Sequence, residues 1–277
     1  MNLRPRLSAL APPLATTWLA SAVLLSCAYP GVAGNDRLTA RPPGPGAPVP
    51  VPGPGADGTG SQVPGLHTLD GEGPRATLVY VPSTYQPDRP APLVVMLHGA
   101  GGDPPGGLDP LIRLADDNGL LLVAPASSGP TWDVIRGSYG PDVGSIDQAL
   151  QRIFAEYRVD PARLAIGGFS DGASYALSVG LDNGDLFTHV IAFSPGFEAS
   201  SDHHGRPRVF ITHGRQDPIL PLRSTSGRIV PRLRGDGYDV TYRKFDGGHT
   251  VPADLAQEAV AWLLGGSGER VAPPGQG

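Results

Sequence analysis

Gly168-Phe169-Ser170-Asp171-Gly172 stands where an apolar run, Arg163 to Gly167, meets a helix-like stretch that begins at Gly172. A G-x-S-x-G pentapeptide alone also suits an ordinary turn with a helix-capping serine. The strand-turn-helix setting is what makes Ser170 a candidate nucleophile. Small residues at both glycine positions let the turn tighten until the serine stands at its apex, exposed above a sheet. Such a turn requires strands that alternate with helices, and the sequence on either side supplies them.

From about Leu66 onward, short β-branched runs are separated by helical stretches, the pattern of an open sheet with helices on both faces. Strands are expected at Ala76 to Val81, Leu93 to His98, Leu120 to Ala124, Arg163 to Gly167, Val190 to Ser194, Val209 to His213 and Val240 to Phe245. Leu93-Val94-Val95-Met96-Leu97 is apolar without alternation, which predicts a strand covered on both faces, as in a parallel sheet. Helices are expected at Leu108 to Asn118, Ser145 to Tyr157, Ala173 to Leu181, Ser226 to Arg234 and Asp254 to Leu264. The fold class is therefore α/β, with a mostly parallel central sheet.

The 277 residues exceed what this domain needs, because 39 glycines and 32 prolines are spread unevenly. Arg4 and Arg6 precede an apolar run from Leu7 to Leu25, which reads as a secretory signal over residues 1–26. It ends at Leu24-Leu25-Ser26-Cys27, a sequence that resembles the bacterial lipobox, although Leu25 is a less usual choice there. Cys27 is the chain's single cysteine and so cannot form an internal disulfide; lipidation suits its position, with ordinary cleavage near Ala28 or Ala33 as the alternative. Residues 27–65, rich in Pro, Gly, Ala and Val, cannot bury enough apolar surface to offset their ordering entropy and read as a tether. The catalytic domain is expected over 66–266 and a flexible tail over 267–277.

The formal charge is −5, with a pI near 5.8. Loss of Arg4 and Arg6 with the signal makes it −7, which disfavours nucleic acid and anionic membranes as partners. Membrane contact is expected only through the N-terminal anchor, and the location is extracytoplasmic.

A serine hydroxyl is a poor nucleophile at neutral pH and needs a histidine to take its proton and a carboxylate to orient that histidine. The acid is expected after a later strand and the histidine in a loop before the last helix. Asp217 fits the first place, in His213-Gly214-Arg215-Gln216-Asp217-Pro218 just beyond the strand Val209 to His213; an Asx turn ahead of Pro218 is its bland alternative. His249 fits the second, in Phe245-Asp246-Gly247-Gly248-His249, where two glycines let the loop bend toward the sheet. Asp246 is the rival acid, too near His249 in sequence to be preferred.

Negative charge that grows on an attacked carbonyl oxygen needs fixed donors. One is expected to be the Asp171 backbone N–H. The other is assigned to Ala100 in the loop His98-Gly99-Ala100-Gly101-Gly102, with Gly101 as the neighbouring alternative. No Gly-Lys-Ser/Thr follows, so a phosphate cradle is disfavoured.

L-H-G-A-G-G, G-F-S-D-G-A-S, H-G-R-Q-D-P-I-L-P and G-G-H-T-V-P together resemble the α/β-hydrolase superfamily. The likeness is to its carboxylesterase/phospholipase-like group and the related polyhydroxybutyrate depolymerase and feruloyl esterase group. It covers roughly Ala76 to Leu264, and Val159-Asp160-Pro161-Ala162-Arg163-Leu164 is also family-like. The resemblance implies Ser170 as nucleophile, Asp217 as acid and His249 as base, in agreement with the chemical reasoning.

For substrate contact, the connection Pro125 to Gly144 leaves a carboxyl strand end and contains Trp132 and Tyr139, which are expected to wall the pocket. Packing is the alternative for Trp132. Too few residues separate the strands at Val190 and Val209 for a cap domain. Asp142 and Asp147 flank a helix start and read as structural, and His98 and His213 as local hydrogen-bonding groups. His203 and His204 lack further ligands at metal-binding spacing, and neither metal nor cofactor is expected.

The expected function is a secreted serine carboxylesterase acting through an acyl-enzyme on a small-molecule or polymeric ester. Alternatives are a polyester depolymerase or feruloyl-type esterase and, outside enzymes, a ligand-binding lipoprotein with a hydrolase-like fold. The last would be marked by a missing triad member, and none is missing.

Overall fold

The computed structural model describes residues 36–44, 62–200 and 202–265, all of which fall in the compact unit Ala33–Gly277. The signal segment, Cys27, most of the tether and the tail 267–277 lie outside the described residues.

Eight strands form one sheet in the order β1-β2-β4-β3-β5-β6-β7-β8. They are β1 (Gly65–Asp70), β2 (Thr77–Val81), β3 (Ala91–Leu97), β4 (Leu121–Ala124), β5 (Val159–Phe169), β6 (His189–Phe193), β7 (Arg208–Gly214) and β8 (Val240–Phe245). β1 and β2 run antiparallel at one edge, while β4, β3 and β5 through β8 are mutually parallel. The helices are α1 (Pro104–Leu108), α2 (Ala115–Asn118), α3 (Pro141–Glu156), α4 (Asp171–Asp182), α5 (Ser226–Gly235) and α6 (Ala253–Leu263). This is the α/β-hydrolase fold.

All seven residues of β3 are buried. Leu93, Val95 and Leu97 pack with residues of α3, α4 and α5 on one face, and Val94 and Met96 with residues of α1 and α6 on the other. Two-sided burial is why this strand reads as an unbroken apolar run. From β3 the chain moves outward to β4, then returns past β3 to β5, so strand order reverses between β3 and β5. In an open α/β sheet the crevice at the carboxyl ends of such a pair is the ligand position. The two loops leaving there are His98–Gly102 and the turn at Ser170.

Three departures from the sequence expectation have local causes. The helix expected over Leu108 to Asn118 is broken into α1, a 3-10 turn at Ile112–Leu114 and α2. Pro110 has no N–H to donate and so interrupts the helical ladder, whereas Pro104 and Pro105 start α1 early, with the Asp103 side chain accepting the Gly106 N–H at 2.9 Å. β1 was not expected, because it is an edge strand in which Leu69 alone is buried. Residues 36–44, inside the stretch read as tether, lie against α3 and the end of α4. Leu38 and Ala40 are buried there, and Asp147 accepts from the N–H groups of Thr39 and Ala40 and from the Thr39 hydroxyl. Leu38 and that acceptor set give this strap buried area and polar partners.

Candidate active site

The turn between β5 and α4 closes because nothing larger than glycine fits on either side of it. A Cβ on Gly168 would lie 2.5 Å from the Gly172 carbonyl carbon, and one on Gly172 would run into the carbonyl oxygens of Leu97 and His98 at the end of β3. Ser170 at the apex has φ 57°, a left-handed backbone that costs a non-glycine residue on the order of 1–2 kcal/mol. Its N–H is held by the Phe193 carbonyl at 3.0 Å. This strain fixes the direction of the side chain.

Ser170 Oγ lies 2.8 Å from His249 Nε2, and His249 Nδ1 lies 2.6 Å from Asp217 Oδ2. Since the carboxylate can only accept, the imidazole proton sits on Nδ1 and Nε2 faces the serine hydroxyl as acceptor. Asp217 Oδ1 takes the N–H groups of Ile219 and Leu220, both at 2.9 Å. Burial would push the Asp217 carboxyl up, but the Leu220 amide, His249 and the Ile219 amide together hold it below the usual carboxylate range. The acid is thus ionised at neutral pH and presents one oxygen to the imidazole. The ring of His249 rests on Phe169, with centroids 4.7 Å apart. Asp246, the rival acid, is exposed and paired with Arg215 at 3.1 Å, outside this relay.

The loop after β3 is fixed by five hydrogen bonds. His98 Nε2 accepts the Ser127 N–H at 3.2 Å, which places the ring proton on Nδ1, and Nδ1 donates to the Gly99 carbonyl at 2.8 Å. The Gly102 N–H meets the same carbonyl at 3.0 Å. Because a trans peptide directs its C=O and N–H to opposite sides, holding the Gly99 oxygen turns the Ala100 N–H the other way. Trp132 Nε1 donates to the His98 carbonyl at 2.8 Å. Among the described residues the N–H groups of Ala100 and of Asp171, the latter in the first turn of α4, have no acceptor, whereas the Gly101 N–H is spent on the Pro130 carbonyl at 2.6 Å. That bond removes Gly101 as an oxyanion donor.

The two expected substrate contacts are corrected. Trp132 has no exposed surface and is stacked on Tyr175, with centroids 5.1 Å apart, and tilted against His98; it supports the loop from below. Tyr139 packs on the same aromatic cluster and donates its hydroxyl to Asp182 at 2.9 Å. Burial first, then the Asp182 charge, raises its pKa far above the usual phenol value. A hydroxyl that is a fixed donor to a buried carboxylate is committed to the scaffold.

Several contributors had been passed over. Thr131, beside Trp132, donates Oγ1–H to Asp171 Oδ2 at 2.6 Å, so the connection after β4 grips the turn itself. Ser170, Ser174, Ser178 and Asp182 recur every four residues along α4. Ser174 Oγ takes the Gly196 N–H and Ser178 Oγ the Ala199 N–H, at 2.9 and 3.0 Å, while Asp182 holds Ser200 and the Asp202 N–H. A polar row thus straps the loop after β6 to α4. That spacing was legible in the sequence; nothing marked Thr131. His98 and His213 form local hydrogen bonds as expected, and His203 and His204 lie 3.6 and 3.1 Å from Glu198 and Asp202.

Residues 146–251, from α3 to the His249 loop, match the esterase family model, described as "Putative esterase". Feruloyl esterase C of Emericella nidulans is 24% identical over 70% of this chain and 84% of its own length. Among solved structures, esterase PE8 is 25% identical with a TM-score of 0.56 and covers 68% of this chain and 96% of its own. A phospholipase/carboxylesterase from Dyadobacter fermentans, 23% identical with a TM-score of 0.55 over 68% of this chain and 95% of its own, shares the fold. With a strained serine at the β5–α4 turn facing an ionised Asp–His pair, the chain has the α/β-hydrolase fold, is similar to serine esterases, and is a carboxylic ester hydrolase.

Proposed function

We propose that the protein cleaves carboxylic esters through an acyl-enzyme, with Ser170 as nucleophile, His249 as base and then acid, and Asp217 as the orienting carboxylate. The observation that carries this reading is the unbroken series Asp217 Oδ2, His249 Nδ1, His249 Nε2, Ser170 Oγ, with links of 2.6 and 2.8 Å. His249 takes the hydroxyl proton as Oγ bonds to the ester carbonyl carbon. The Ala100 and Asp171 N–H groups receive the oxygen as its charge grows, each contributing on the order of 3 kcal/mol to the transition state. Collapse expels the alcohol with the proton from His249. Water then enters by the same route and releases the acid.

A feruloyl-type specificity is the second reading. It is favoured by the similarity to feruloyl esterase C, which spans 84% of that enzyme. We also assign the protein to the extracytoplasmic side, with Cys27 as lipid attachment site, on the strength of the signal-like N-terminus. Among the described residues no helix is long and apolar enough to cross a membrane.

The test is labelling with a fluorophosphonate, comparing wild type with Ser170→Ala and His249→Ala. Labelling that persists in Ser170→Ala overturns the assignment. Turnover of short-chain nitrophenyl esters, methyl ferulate and polyhydroxybutyrate by the same preparation then decides among a general esterase, a feruloyl-type enzyme and a polyester depolymerase.

A further inference from the structure

His249 is not the only histidine on the triad acid. His213 Nε2 lies 3.3 Å from the same oxygen of Asp217, Oδ2, that His249 Nδ1 meets at 2.6 Å, and the His213 side chain has no exposed surface. Its Nε2 also stands 2.7 Å from the Leu220 carbonyl, which can only accept, so Nε2 carries the proton. That single N–H is placed between the Leu220 oxygen and Asp217 Oδ2. Nδ1, on the other side of the ring, is buried without a hydrogen-bond partner among the described residues. Burial, which dominates, and then the nearby His249 hold the ring neutral against the opposing pull of the Leu220 carbonyl and Asp217. Asp217 and His249 are the titratable groups that face it; Arg215 turns outward to Asp246. A histidine kept neutral, dry and half-unpaired is a poor space filler, because an apolar residue would avoid leaving Nδ1 bare. Its placement beneath the acid needs another reason.

We propose that His213 is a positioning residue for the triad. Its Nε2–H anchors the Leu220 carbonyl, which holds the turn 217–220 closed so that the Ile219 and Leu220 amides meet Oδ1. The same N–H edge limits how far Oδ2 can swing from His249. The inference rests on the triad reading above and adds a second imidazole that touches neither substrate nor the reacting atoms.

The experiment compares His213→Gln, His213→Asn and His213→Leu in the full chain. The readouts are kcat and KM for p-nitrophenyl acetate across pH, and the low-field proton NMR signal of the His249–Asp217 hydrogen bond. Glutamine brings its amide nitrogen near the Nε2 position, and asparagine stops short of it. His213→Gln is expected to keep kcat within about threefold, while His213→Asn and His213→Leu lose about 10- to 100-fold in kcat with KM little changed. The acid limb of kcat/KM and the low-field signal should move in the last two and return in His213→Gln. Equal kcat and equal pH profiles for the asparagine and glutamine variants overturn the proposal, and this polar pair still decides it if His213→Leu does not fold. Asp217→Asn is the control. Wild-type activity there removes the triad reading itself, whereas an inactive Asp217→Asn beside three His213 variants at wild-type kcat removes the role of His213 alone.

Discussion

The Gly101 N–H meets the Pro130 carbonyl at 2.6 Å and so binds the connection after β4 to the loop after β3. Two residues on, Trp132 reaches the same loop through the His98 carbonyl, and between them Thr131 reaches the turn through Asp171. Three consecutive residues therefore hold both expected oxyanion donors. Their connection borders the site as a brace.

Trp132→Phe tests the brace. The ring stack on Tyr175 survives, but the buried His98 carbonyl loses its donor, a change of about 1–3 kcal/mol. The melting temperature should fall by several degrees and kcat severalfold, with KM unchanged. A rise in KM at constant kcat would restore Trp132 to the substrate pocket.

The relay was more legible than the pocket, for physical reasons. Ser170, Asp217 and His249 each stand in a short loop at a carboxyl strand end with glycine close by in sequence, and close packing demands it at Gly168, Gly172 and Gly214, so chemistry and local pattern coincide. Parallel strands such as β3 announce themselves as apolar runs, whereas β1 is an edge with little to bury and left no such mark. Trp132 and Tyr139 looked like pocket residues because their segment has no periodic pattern. Only tertiary structure shows that their polar atoms end on His98 and Asp182. Gly101 could not be separated from Ala100 without knowing where Pro130 lies. The strap 36–44 was hidden by composition, since one leucine and a distant Asp147 decide it.

Asp217→Asn removes the acceptor for His249 Nδ1–H and is expected to lower kcat/KM by about 10³- to 10⁴-fold. Asp246→Asn, which touches only exposed Arg215, should stay within about twofold. Steady-state kinetics on the two variants identify the acid, and the reverse ranking would make Asp246 the orienting residue.

The two glycines near the serine differ from the glycine in the neighbouring loop. In Gly172→Ala the new methyl meets main-chain atoms of Leu97 and His98, which cannot move without shifting β3. A loss of about 3 kcal/mol or more, or no soluble protein, is expected. Gly101→Ala has open space and only an unfavourable φ of 69° to accommodate, costing about 1 kcal/mol. Chemical denaturation of both variants tests the contrast, and a mild Gly172→Ala would mean the turn is less tightly packed than described.

The strap gives a pH-dependent prediction. Burial acts to raise the Asp147 carboxyl, but the Ala40 amide, then the Thr39 hydroxyl and amide and Gln151, lower it below the ordinary 3.8. A carboxyl depressed in the folded state stabilises fully above its unfolded value, and the contribution disappears as pH falls through the lower folded value. Asp147→Asn should therefore be less stable than wild type by about 1–2 kcal/mol at pH 7, discounted for its partial exposure. That gap should close from about pH 4 downward. Leu38→Ala, which empties a buried apolar site, should cost about 2–3 kcal/mol at every pH. Thermal melts of the three proteins between pH 7 and pH 3 separate the polar and apolar halves of the contact. A wild-type to Asp147→Asn gap that stays constant over that range would show that the carboxylate does not hold the strap.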